Sequence, residues 1–255
     1  MKKVECIFCG EIREKAKEHV WPKWLQLNLY GSLQESYVGM NAKLIQQANP
    51  KIRQTSGSSL VYGKVCAICN NGWMSSLEVK FKTFFEKLQE DYNTIYNISK
   101  EERFNVSLWV LKTSMMINSA GDYRQVIPLE LYRHVAKNRT LPKNIKVDLT
   151  YIKSDPELSW EQSNIYGSIN KSSESKSDIT QDLRKNSFVT SLQIEQLGIK
   201  VTFYKNAKKL GFKLPKPNNS KALRVWPYEK DSNFKLDKCN YNDLFSFHID
   251  TLVIK

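Results

Sequence analysis

Two CxxC pairs, Cys6-Ile7-Phe8-Cys9 and Cys66-Ala67-Ile68-Cys69, constrain this chain more than any other feature of its sequence. Each pair can clamp one edge of a tetrahedron, with sulfurs about 2.3 Å from a central ion. Four thiolates close the coordination sphere, so the expected site is a structural zinc (Zn2+) held by Cys6, Cys9, Cys66 and Cys69. A disulfide reading would need an oxidising compartment. The start, Met1-Lys2-Lys3-Val4-Glu5-Cys6, has basic residues but no apolar segment behind them to act as a secretory signal. The longest apolar run, Val106 to Met116, is broken by Ser, Lys and Thr and falls short of the roughly 18 residues that a membrane span needs. The expectation is a soluble protein of a reducing compartment, the cytoplasm, with Cys239 as a buried or bystander thiol.

Charge narrows the partner. Thirty-nine Lys and Arg against 26 Asp and Glu give a formal net charge of +13. Four thiolates and one zinc ion would reduce that only to about +11, still a field that attracts polyanions and speeds their encounter. DNA is the expected partner, with RNA not excluded and no membrane role. A hydrophobic share of 41% and a charged share of 25% are those of a folded chain, long enough to bury one large core or two modest ones.

A closed zinc site carries no chemistry of its own. The residues next to the pairs say more. Glu18-His19-Val20-Trp21-Pro22 follows the first pair by nine residues, and Asn70-Asn71 follows the second pair directly at a helix start. This arrangement resembles the HNH (ββα-metal) endonucleases, most closely the branch with two CxxC zinc knuckles, of the recombination endonuclease VII kind. The resemblance covers about residues 4 to 78. It implies that His19 is the general base for an attacking water, which suits an imidazole whose ordinary pKa of about 6.5 lies near working pH. It also implies that Glu18 and Asn70 hold a catalytic magnesium (Mg2+) or manganese (Mn2+) ion, a hard cation preferring oxygen donors. The pattern departs from the family in having no second His at the helix, where Asn70 stands instead. The middle Asn of the motif has no clear counterpart, since Asn41 and Asn49 fall between the two halves. Asn71 and Glu78 remain alternative ligands, because register at a helix start is not fixed by sequence.

Each residue has a plainer reading beside the chemical one. His19 could be a core histidine, Trp21 and Trp24 core aromatics beside the zinc knuckle, and Asn70 a helix cap. Arg13, Lys15, Lys17, Lys23 and Lys64 are placed to meet backbone phosphates, or else form a solvated charged face. His134 and His248 read as structural. No Gly-rich phosphate loop and no GxSxG occurs.

The expected fold class is α+β: a small zinc-bound ββα-metal (treble-clef-like) N-terminal module followed by helices and an antiparallel sheet. The module spans residues 1–78, with an insertion at about 31–60 marked by Gly31, Asn49-Pro50 and Ser56-Gly57, and Val61 to Val65 as a strand. Residues 79–140 form a helical segment. Trp73, Leu77, Phe81, Phe84, Phe85 and Leu88 recur at helical spacing, and Ser99 with Glu102 makes a capping box for a second helix with the stripe Phe104, Leu108, Leu111 and Met115. Gly121 should stop it, and Pro128 should open a third helix through Lys137. Residues 141–255 form an α+β part of unassigned role, which could position DNA, pair two copies as a homodimer or recognise a trigger. Its strands are read from alternation at Ile145 to Tyr151, Phe188 to Ile194, Ile199 to Phe203 and Phe245 to Val253. Asn170 to Asp178 and Leu214 to Ser220 read as loops. The functional expectation is a metal-dependent HNH endonuclease acting on DNA; the alternative is a non-catalytic zinc-knuckle protein that binds nucleic acid.

Overall fold

The structure, a computed structural model, describes residues 2–30, 34–37, 53–56, 61–120, 125–155, 157–165, 173–206, 221–228 and 241–250. Gly121, Asn41, Asn49, Cys239 and the expected loop at Leu214 to Ser220 lie outside them.

The chain begins with a hairpin, β1 (Lys3–Glu5) against β2 (Ile12–Glu14), whose turn carries the first CxxC. Gly10 closes that turn at φ +86°, a left-handed conformation open to glycine at little cost. Next, β3 (Glu18–His19) pairs antiparallel with β6 (Val61–Tyr62), in the register Glu18 with Tyr62 and His19 with Val61. Between them lie α1 (Lys23–Tyr30) and a second hairpin, β4 (Gln34–Tyr37) with β5 (Arg53–Ser56), in the stretch read as an insertion. After β6 comes the second CxxC, where α2 (Ala67–Cys69) runs through one wide helical turn, Asn70–Met74, into α3 (Ser75–Glu90).

Ser99 and Glu102 form the expected capping box, with reciprocal bonds of 3.0 and 3.2 Å, at the head of α4 (Lys100–Ala120). The stripe read from the sequence understates this helix, because every residue from Asn105 to Ser119 is buried. Its polar residues, which resemble a solvent face, are enclosed because α4 lies between α3 on one side and the sheet on the other, with β6 also against it. Pro128 precedes α5 (Leu129–Asn138), as expected, and Arg139 ends it in the left-handed region at φ 53°.

The sheet is antiparallel, in the order β11 (Leu223–Trp226), β7 (Ile145–Tyr151), β10 (Leu197–Tyr204), β9 (Ser187–Glu195), β8 (Glu157–Ser163). One face, with Val147, Leu149, Leu192, Ile199 and Val201, joins an apolar core that runs from Cys6 to Val225 and includes α3, α4 and α5. The other face is polar, with Asp148, Thr150, Ser191, Gln193, Lys200 and Thr202. Such a face is commonly wetted, yet here it is buried.

Two segments differ from expectation. Of the strand expected from Phe245 to Val253, the part from Phe245 to Ile249 belongs instead to α7 (Leu244–Ile249), capped by Asp243, whose Oδ1 accepts from the Ser246 N–H at 2.6 Å, and Thr251 to Val253 lie outside the described residues. Alternation misled because Leu244, Phe247 and His248 are also one helical face, turned onto the polar side of the sheet. The expected loop at Asn170 to Asp178 is, from Ser173, the start of α6 (Ser173–Asn186). Low apolar content hid it; among its described side chains Leu183 is buried, and Asp182 accepts from Tyr204 Oη at 2.8 Å and Asn206 Nδ2 at 2.7 Å. Strands β8 and β11 and the β4–β5 hairpin are too short or too polar to stand out from the sequence.

Candidate functional site

The two CxxC pairs meet as one cluster. The sulfurs of Cys6, Cys9, Cys66 and Cys69 lie within 4.8 Å of one another. Cys9 Sγ and Cys66 Sγ are 3.8 Å apart, the edge of a tetrahedron with bonds of about 2.3 Å. Local backbone supports the arrangement: the Cys66 N–H donates to Cys6 Sγ and the Cys69 N–H to Cys66 Sγ, each at 3.4 Å. The Cys69 thiol, donating to Cys6, helps to pull the Cys6 thiol down to about 4. Cys69 as the donor is pushed far up, and burial raises Cys66. Four sulfurs so close therefore favour one thiolate held by its neighbours, and a divalent cation at the centre would ionise the rest. The set can hold a structural metal such as zinc.

Groups from far along the chain enclose this cluster. Arg133 on α5 donates from Nη1 to the Cys6 carbonyl at 2.7 Å and pairs through Nη2 with Glu5 at 3.3 Å. Arg139 lies over the Trp73 ring at 4.6 Å, and burial lowers its pKa against the opposing pull of Cys69 and Cys9. Phe8 packs against Trp73 and Tyr132 at centroid distances of 5.6 and 5.3 Å.

The residues singled out for chemistry sit on the strand pair and at the helix start. Glu18 and His19 occupy β3, and the paired β6 leads through Val65 into the second CxxC and then Asn70. Two bonds hold these pieces in register: Ala16 N–H to Val65 O at 2.9 Å, and Asn70 N–H to Cys66 O at 3.0 Å. Asn70 turns its Nδ2 to Asn71 Oδ1 at 3.1 Å, and its backbone carbonyl accepts from the Ser75 N–H. Among the described residues, no hydrogen bond or ion pair joins Asn70 to Glu18 or His19.

Glu18 is buried and faces Lys112 of α4, Oε1 to Nζ, at 3.5 Å. Burial raises the Glu18 carboxyl above the ordinary range; the Lys112 charge opposes this and the Glu78 charge adds to it. His19 is partly buried, and its Nδ1 is enclosed without a hydrogen-bond partner among the described residues. Burial first, and then the charge of Lys23, lower its pKa, so the imidazole is neutral near pH 7. Arg13, Lys15, Lys17, Lys23 and Lys64 are all exposed. Trp21 is fully buried in the core, and Trp24 is partly buried against Phe81 and Phe85.

The other two histidines have structural contacts. His134 pairs with Thr140 and Asn138 at 3.2 Å each, and His248 lies between Ser163 and Ser191 at 2.9 and 3.0 Å. Lys112, Arg133 and Arg139 were not found from the sequence. Lys112 alone carried a signal, as a cation in the middle of Trp109-Val110-Leu111-Lys112-Thr113-Ser114-Met115.

Comparison with protein-family models, curated proteins and solved structures gave no match. Among the described residues, no helix is long and apolar enough to cross a membrane.

Proposed function

We propose that the protein is a metal-dependent endonuclease of the HNH, ββα-metal type, with a treble-clef-like zinc module, acting on DNA. The observation that carries the reading is Glu18-His19 on the first strand of an antiparallel pair whose second strand runs into the second CxxC and Asn70. That is the strand, strand, helix order of the motif. A general base near neutral pH needs a neutral imidazole, and the lowered pKa of His19 suits that role.

The donors fit a hard divalent cation: a carboxylate from Glu18 and an amide oxygen from Asn70, with Glu78 adding negative charge close by. Glu18 and Asn70 would hold magnesium or manganese, which would stabilise charge on the phosphate and the leaving 3′ oxygen. His19 takes the proton of the attacking water. The exposed Arg13, Lys15, Lys17, Lys23 and Lys64 contact backbone phosphates and set the DNA in place. Those same five cations favour the second reading, a zinc-knuckle protein that binds nucleic acid without cutting it.

Zinc-loaded protein incubated with plasmid or branched DNA and Mg2+ or Mn2+ separates the two. Cleavage that falls at least about a hundredfold in His19→Ala is expected, the usual scale of a general base. Salt-sensitive binding with no metal-dependent cleavage would leave the second reading standing.

A further inference from the structure

Lys112 is the feature that the proposed chemistry leaves unused. It is fully buried on α4, outside residues 1–78, and its Nζ faces the Glu18 carboxylate at 3.5 Å. A buried ammonium costs several kcal/mol of desolvation, and a methionine would fill a similar volume without that cost. The pair is therefore a poor stabiliser and a strong local charge.

Glu18 and Glu78 bring two negative charges, Lys112 one positive, and Asn70 none. The net is about −1 against a divalent ion, too little to hold magnesium or manganese firmly, since these ions part reluctantly from water. A DNA phosphate supplies the missing negative charge. We propose that Lys112 makes ion binding at this site depend on DNA: its ammonium offsets Glu18, so that the divalent ion enters tightly only together with a phosphate. Lys112 acts through Glu18 and is a positioning residue. The proposal rests on the nuclease reading. It adds that metal and DNA bind as coupled ligands, each raising the affinity of the other by the same factor.

The size of the effect follows from distance. An ion about 2.1 Å from Glu18 would lie within about 6 Å of Lys112 Nζ. At an effective dielectric constant of about 20, the repulsion of a divalent ion by one positive charge at that distance is several times the roughly 1.4 kcal/mol of a tenfold change; Glu18, left without its cation, holds a proton more firmly and returns part of the gain, leaving ion binding at least about tenfold tighter.

The test uses full-length, zinc-loaded protein. Free Mn2+ is counted by electron paramagnetic resonance in titrations of wild type and Lys112→Met without DNA. Weak binding by wild type and at least tenfold tighter binding by Lys112→Met are expected; unchanged or weaker binding overturns the proposal. A second measurement does not need Lys112→Met to fold. A labelled duplex is titrated with His19→Ala, which keeps the strand intact, at constant ionic strength with and without saturating Mn2+. At least tenfold tighter DNA binding with the ion is expected, and equal binding overturns the proposal. If wild type cuts DNA but either result is null, only the coupling falls. If wild type neither cuts DNA nor takes up Mn2+ in its presence, the nuclease reading fails and the coupling fails with it.

Discussion

His248 lies between α7 and the polar face of the sheet, 3% exposed, with Ser163 Oγ and Ser191 Oγ on its two ring nitrogens. Burial, and then the charge of nearby Lys200, lower its pKa from 6.5 to about 3. The sign follows from linkage. Between these two values the unfolded chain binds a proton that the folded chain refuses, so stability is fully present above 6.5 and is lost as pH falls from there toward 3. Each pH unit below 6.5 costs about 1.4 kcal/mol, which makes about 2 kcal/mol at about pH 5. Because the ring is sealed from water, solvent screening takes little from this figure. Other groups titrate in the same window: Glu18, with its raised pKa, acts in the opposite sense, and His19, with its lowered pKa, in the same sense. The comparison must therefore be with His248→Gln, which keeps a donor and an acceptor for the two serines and leaves those groups in place. Urea unfolding at stepped pH from about 7.5 to about 5, with zinc saturating throughout, gives stability for both proteins. Wild type should lose about 2 kcal/mol more than the variant over that range. Equal losses in the two proteins would refute the reasoning, because they would mean that His248 is as easily protonated folded as unfolded.

Two further outcomes follow from the four-cysteine cluster as a metal site. Removing the metal with a chelator should lower the thermal midpoint and also speed amide hydrogen exchange in α5, because Arg133, Arg139 and Tyr132 all pack on that centre; α5 protection that survives chelation would show that helix to be independent of it. Gly10→Ala should destabilise the protein by about 1 to 3 kcal/mol in urea unfolding. A Cβ at φ +86° would stand 2.6 Å from Arg133 Nη1. Part of that loss should disappear when Arg133→Met is added, and a loss that is the same in both backgrounds would place the whole cost in the backbone.

The elements written in short-range pattern were legible in the sequence. The Phe81, Phe84, Phe85 spacing, the Ser99 and Glu102 box and the alternation through Ile199, Val201 and Phe203 each need only a few neighbouring residues to be expressed. Phe245 to Ile249 was misread because so short an apolar run fits a strand as well as a helix, and only the partner surface chooses. The four cysteines were legible for a different reason. Coordination chemistry fixes what CxxC twice over can do, whatever the fold around it.

What the sequence by itself determined is therefore local: the four-cysteine cluster, the helix starts and the strand alternation. The surroundings of Glu18 were decided only by tertiary structure. Lys112 lies ninety-four residues away, and the periodicity of α4 placed it outside the apolar stripe. Packing α4 between α3 and the sheet enclosed it, because a helix covered on both sides has no solvent face left on which to keep a cation. The same closure brought Arg133 and Arg139 onto the cysteine cluster. Such contacts arise between elements that meet only once the core has formed.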